Sequence, residues 1–167
     1  MRGTNMSART RDILSLIAFL LVCQAAGGIG GLFTASSLGT WYAELRKPPY
    51  NPPNWVFGPV WTTLYVLMGI AAWLVWRRRG EGVDVRPGLV LFAVQIVLNA
   101  LWSIIFFGLK SPGPAFAELV VLWGAIFATM LLFLRTSIAA GILLVPYLVW
   151  VSFAGVLNYA IWALNRY

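Results

Sequence analysis

The sequence predicts an all-α membrane protein: a five-transmembrane-helix bundle with a structured Pro/Trp-rich loop between helices 1 and 2. Three observations carry that prediction. The chain of 167 residues is 60% hydrophobic and 10% charged, which is not the composition of a soluble domain. Five apolar runs, each long enough for the roughly 30 Å hydrocarbon core of a bilayer, are separated by short joints. The chain has 12 Lys and Arg against 5 Asp and Glu, and the cations flank the runs without forming one basic face. Cations placed that way write membrane topology, so the net charge of +7 does not indicate nucleic acid.

Residues 1–12, with Arg2, Arg9, Arg11 and Asp12, read as an N-terminal tail, and 13–167 as one transmembrane domain. The first span, about 13–33, is uncharged and exceeds the roughly 7–15 residues of a signal-peptide core, so it reads as a retained helix. Gly27 and Gly31 lie four apart in it, where a neighbouring helix or a ligand can come close; helix packing is the favoured reading. Residues 41–61, WYAELRKPPYNPPNWVFGPVW, form the loop and lead into the second span. Pro48, Pro49, Pro52 and Pro53 forbid a regular helix, so the loop should be stiff and ordered.

In the second span, about 54–76, Asn54 is a candidate cap and Pro59 belongs to the first turns or to a bend. Trp61 and Tyr65, four apart, share a face, and Arg77, Arg78 and Arg79 end the span. The third span, about 87–109, carries Gln95, Asn99 and Ser103 in one polar stripe with Trp102 alongside. Polar groups are costly in lipid, so the stripe must face protein or a cavity. Hydrogen bonding between helices and ligand contact both remain open for Asn99; for Gln95 and Ser103 the former is preferred.

Residues 110–114, KSPGP, read as a tight turn before the fourth span, about 115–134. That span places Glu118 in the first turn, where a carboxylate complements the helix dipole. A lone intramembrane Glu also raises a second possibility, a small proton-coupled exporter. The fifth span, about 137–164, contains Pro146, which should kink it; Trp150 and Ala154 follow on one face, a large ring and then a gap. Eight cations lie on the N-terminal side, Arg2, Arg9, Arg11, Arg77, Arg78, Arg79, Arg86 and Arg135, against Arg46, Lys47, Lys110 and Arg166 on the other. In an inner membrane this places the N-terminus in the cytoplasm and the aromatic loop outside.

The chemistry is bounded by what is missing. There is no His, and Cys23 is the single cysteine, so a zinc site, a His-ligated haem and an internal disulfide are excluded, and no metal or cofactor is expected as a requirement. No nucleophile elbow or phosphate-binding glycine loop is present. What remains is a cavity between helices, lined by aromatic rings and closed by a loop whose only cations are Arg46 and Lys47. Such a pocket suits a large, flat, mostly apolar ligand with one or two acidic groups. A porphyrin has that form; a sterol matches the apolar part alone.

The pattern WYxxLxKPxxxPPxWVFGPVWTxLY resembles the translocator protein and tryptophan-rich sensory protein family, the peripheral benzodiazepine receptors. Gln95 and Asn99 before Leu101-Trp102, then Phe106-Phe107-Gly108, Pro146-Tyr147-Leu148-x-Trp150 and Leu157-Asn158-Tyr159 stand where that family has its other signatures. The resemblance implies a five-helix bundle, often a homodimer, that binds porphyrins such as protoporphyrin IX or haem, cholesterol in some members, and benzodiazepine-site ligands beneath the first loop. It implies Trp61, Asn99 and Trp150 as pocket residues and Tyr42, Tyr65, Trp102 and Ala154 as lining; with the loop's Arg46, Lys47 and Tyr50 these are the candidate ligand-binding residues. It also implies an alternative, light- and oxygen-dependent porphyrin degradation with Trp61 and Trp150 as the catalytic residues. Family members have been assigned to outer membranes as well. Two departures stand out: Tyr50 replaces a common Trp, and six residues separate Tyr159 from Arg166, one too many for the proposed cholesterol motif.

Overall fold

The computed structural model describes residues 7–166. Its helices are α1 (Ala8–Leu38), α2 (Trp41–Glu44), α3 (Phe57–Arg77), α4 (Arg86–Ser103), α5 (Pro112–Thr136), α6 (Ile138–Leu143) and α7 (Val145–Leu164), and no strand occurs among the described residues. With their flanking turns they form five stretches long and apolar enough to cross a membrane: 8–38, 54–80, 86–108, 112–136 and 138–164. The fold class is as the composition dictates.

The spans form a ring. α1 packs on α3 and α4, α4 on α5, α5 on α6 and α7, and α6 closes the ring against α3. Met68, Ala72 and Val75 of α3 meet Leu122, Ile126 and Phe133 of α5 and Val151 of α7 in the interior. The outer faces show Leu21, Leu32, Val97 and Val149 uncovered, as a lipid-facing surface requires.

Pro146 divides the last span. The helix stops at Leu143 and restarts at Val145, with the proline in the new first turn, where its missing N–H costs nothing. α3 runs along α6 but meets α7 only slightly, so the bundle is tight at one end and parts at the other, beneath the 39–56 connection. The interruption at Pro146 thus accompanies a separation of α3 from α7 under the loop.

Several boundaries differ from expectation. α1 begins at Ala8, with Ser7 accepting a hydrogen bond from the Thr10 N–H, so the second half of the expected tail is helical. Residues 1–6, including Arg2, lie outside the described residues. Pro112 and Pro114 lie inside the first turn of α5, because the first turn of a helix has no use for their N–H groups. Glu118 therefore sits in the second turn, with both carboxyl oxygens buried and without a hydrogen-bond partner, and it does not cap the helix. Asn54 makes no capping bond; Pro53 precedes a 3-10 turn at Asn54–Val56 that leads into α3. α4 ends in a π turn, Ile104–Gly108, whose Leu109 N–H donates to Ile104 O at 2.8 Å. Ser37 of α1 donates to the Phe107 carbonyl at 2.8 Å and ties α1 to that turn.

Candidate functional site

The lid is a built object. Tyr42 in α2 is buried and donates to Asn51 Oδ1 at 2.8 Å, bridging the two ends of the proline-rich stretch. Burial pushes its phenol up to about 12, with the Asn51 hydrogen bond pulling weakly the other way. The Lys47 ammonium donates to the carbonyls of Ala43 and Leu45, both at 3.1 Å, and lies 4.8 Å from the Tyr42 ring centre. Asn165, at the end of α7, clasps the Arg46 backbone twice: its Oδ1 accepts from the N–H at 3.1 Å and its Nδ2 donates to the carbonyl at 2.9 Å. Lid and C-terminal helix end are thereby one unit.

Beneath the lid, α3, α4 and α7 direct aromatic rings at one another. Tyr42, Phe57, Trp61, Trp102, Trp150 and Ala154 surround a space of only about 20 Å³. Phe57 meets Trp150 at 6.1 Å between ring centres, Trp61 meets Tyr147 at 6.2 Å, and Trp102 stacks on Phe106 at 5.4 Å. Asn158 orients Trp102 by accepting from its indole N–H at 3.0 Å, while the indole N–H of Trp150 is buried and unpaired.

A larger cavity of about 430 Å³ adjoins it between α1 and α3. Phe57 and Trp61 line both spaces and form the wall between them. Trp55, Phe57, Trp61 and Tyr65 supply flat rings on one side, and Gly28 and Gly31 the backbone of α1 on the other. The glycines divide the work between two tasks. A Cβ at Gly27 would sit 2.4 Å from the Tyr65 ring and one at Gly30 2.9 Å from Ser103 Oγ, so these two permit helix packing; at Gly28 and Gly31 nothing lies within 4 Å. Packing, the favoured reading for the glycine pair, describes Gly27 and not Gly31.

Asn99 lines neither cavity. Its Oδ1 accepts from the Tyr65 hydroxyl, its Nδ2 donates to the Tyr147 hydroxyl at 2.8 Å, and Tyr147 donates onward to Gln95 Oε1 at 2.9 Å. Gln95 and Asn99 of the polar stripe thus belong to a buried chain between helices that reaches the large cavity through Tyr65, whereas Ser103 lines that cavity itself. Arg46, Lys47 and the half-exposed Tyr50 line neither space, so no cation faces the cavities among the described residues.

This arrangement of lid, aromatic wall and buried polar chain accompanies a sequence match to the TspO/MBR family model over residues 19–163. The chain belongs to that family. It is 45% identical to the tryptophan-rich protein TspO of Chlorobaculum tepidum over 93% of this chain and 98% of that one. It is 43% identical to protein CrtK of Rhodobacter capsulatus, covering 91% and 94%, and 42% identical to the translocator protein of Homo sapiens, covering 90% and 89%. As a TspO/MBR protein with five apolar spans, it is an integral, multi-pass membrane protein. In this member, Trp55, Phe57 and Gly28 are cavity residues not singled out for a ligand from the sequence, and Gly31, for which ligand approach is the less favoured reading, lines the cavity with them. The aromatic-proline run containing Trp55 and Phe57 was a usable signal; for Gly28 over Gly27 only the helical phase, invisible without a neighbour, decides.

Proposed function

We propose that this chain binds porphyrins at the lid end of the bundle, and that binding serves the movement or sensing of tetrapyrroles in the membrane. The observation that carries the reading is the 430 Å³ cavity with Phe57 and Trp61 as a shared wall. Its size is in the range of small-molecule sites, and its two faces, aromatic on α3 and bare backbone on α1, form a slot for a flat ring. Acidic groups on such a ring reach the mouth, where Asn54 and Trp55 offer N–H donors. The names of relatives, translocator and tryptophan-rich sensory protein, accord with a carrier or sensor. A sterol would use the apolar walls and leave the mouth unused. We also read the N-terminal end as cytoplasmic, from the charge asymmetry.

Fluorescence titration of purified protein with protoporphyrin IX tests the binding. Trp61→Ala should weaken affinity at least about tenfold, a loss of about 1.4 kcal/mol that one stacked ring accounts for. Tyr50→Ala, outside both cavities, should not. Equal affinity for wild type and Trp61→Ala would refute the site.

A second reading, porphyrin degradation driven by light and oxygen, draws on the contiguity of oxidisable rings: Trp61 lies 5.7 Å from Tyr65 and 6.2 Å from Tyr147 between centres. Illumination with protoporphyrin IX in air separates it from binding alone. A coloured product that disappears in Trp61→Phe and Trp150→Phe proteins supports degradation; unchanged pigment rejects it.

A further inference from the structure

At the opposite end of the bundle, a cleft of about 580 Å³ lies between the start of α1 and the end of α3, lined by Arg9, Arg11, Arg77 and Arg79 with Asp12 as its one carboxylate. We propose that this cleft binds the phosphate of an anionic phospholipid headgroup.

Its charge is only partly compensated. Asp12 pairs with Arg77 at 3.4 Å, while Arg9, Arg11 and Arg79 have no ion pair with a described carboxylate. Two of the guanidinium groups are held in place. Arg79 donates to the Trp76 carbonyl at 3.0 Å and lies 4.1 Å from the Trp76 ring centre; Arg77 lies 4.7 Å from that of Trp73. Trp73 in turn donates to the Asp12 carbonyl at 3.2 Å, fixing the two walls together. Planar guanidinium forks converging from two helices match the oxygens of a phosphate.

Depth selects a lipid over a soluble anion. Trp73 and Trp76 lie in the last turns of an apolar span, where amphipathic rings meet the headgroup layer. Next to the cleft, Ile13, Leu14, Ile17 and Leu21 of α1 are 45–64% exposed and offer acyl chains an apolar path. Topology alone asks for cations near span ends. It does not ask for a cleft with stacked, pre-positioned arginines, whereas basic pockets between spans are the form that anionic headgroup sites take.

Native mass spectrometry of the full-length protein, equilibrated with equal amounts of phosphatidylglycerol and phosphatidylcholine, tests this. Wild type should retain phosphatidylglycerol preferentially, and the preference should fall about fivefold for each arginine removed in the Arg9→Gln, Arg11→Gln and Arg79→Gln series. Lys110→Gln, at the lid end, should leave it unchanged. The single variants carry the test if the triple variant loses its helical circular dichroism. An unchanged preference in the series, or an equal fall with Lys110→Gln, overturns the site. If wild type shows no preference for phosphatidylglycerol while inorganic phosphate alone raises the melting temperature of lipid-free wild type but not of the arginine variants, the cleft takes a free anion and the lipid assignment is overturned.

Discussion

Asn99 uses both ends of its amide inside the bundle, so its first effect is on stability. Asn99→Ala would leave the buried Tyr65 hydroxyl without its acceptor and deprive Tyr147 of a donor, for a cost of about 1–3 kcal/mol per stranded group. Thermal unfolding in detergent should show that loss. Tyr65→Phe combined with Asn99→Leu should cost less than the sum of the single changes, because both partners leave together. Tyr42 gives a pH signature. Its folded phenol is raised from the ordinary 10.0 to about 12, so the neutral form is favoured in the fold. The stability it confers is complete below pH 10 and is lost as the pH rises toward 12, since the unfolded chain gives up the proton first. The comparison that isolates the phenol is with Tyr42→Phe, which keeps the ring under Lys47. Tryptophan fluorescence should show wild type loosening more steeply than Tyr42→Phe between pH 10 and 12.

At the scale of the helix, α1 separates packing from binding along one glycine-rich stretch. Gly27→Ala drives a methyl into the Tyr65 ring, which Asn99 restrains from swinging away, so about 1–3 kcal/mol of destabilisation should follow. A Cβ at Gly31 meets nothing within 4 Å and the glycine is a poor helix former, so in Gly31→Leu, whose side chain extends into the cavity, the melting temperature should hold or rise while protoporphyrin affinity is lost. An unimpaired affinity in Gly31→Leu would show that the α1 face is not the ligand's wall. The sequence disclosed much at this scale. Proline chemistry located the break at Pro146, and four-residue spacing placed Trp150 with Ala154 and Gln95 with Asn99. It did not disclose the π turn at Ile104–Gly108, which depends on Ser37 of α1 binding the Phe107 carbonyl across a gap of 70 positions. Nor did it disclose that the Lys47 ammonium is engaged by the lid's own carbonyls, because that contact exists only once the chain has turned.

For the whole molecule, five spans and their order were legible because lipid tolerates few alternatives to long apolar helices. The large cavity's position was not, because it depends on the face α1 turns toward α3, with Gly27 and Gly30 packed on Tyr65 and Ser103 while Gly28 and Gly31 stay uncovered. The orientation we propose rests on charge. Among the described residues, Arg9, Arg11, Arg77, Arg78, Arg79, Arg86 and Arg135 occupy the N-terminal side, against Arg46, Lys47, Lys110 and Arg166 at the lid side. An excess of cations resists translocation, so in an inner membrane the lid should face outward. Cysteine labelling reads this directly, since the native Cys23 is buried in the core and stays silent. A membrane-impermeant maleimide applied to intact cells should label Tyr50→Cys at the exposed lid, and should reach Val83→Cys in the opposite joint only after permeabilisation. The reverse pattern would place the arginine cleft outside, and a lid-side mouth would then admit its ligand from the cytoplasm.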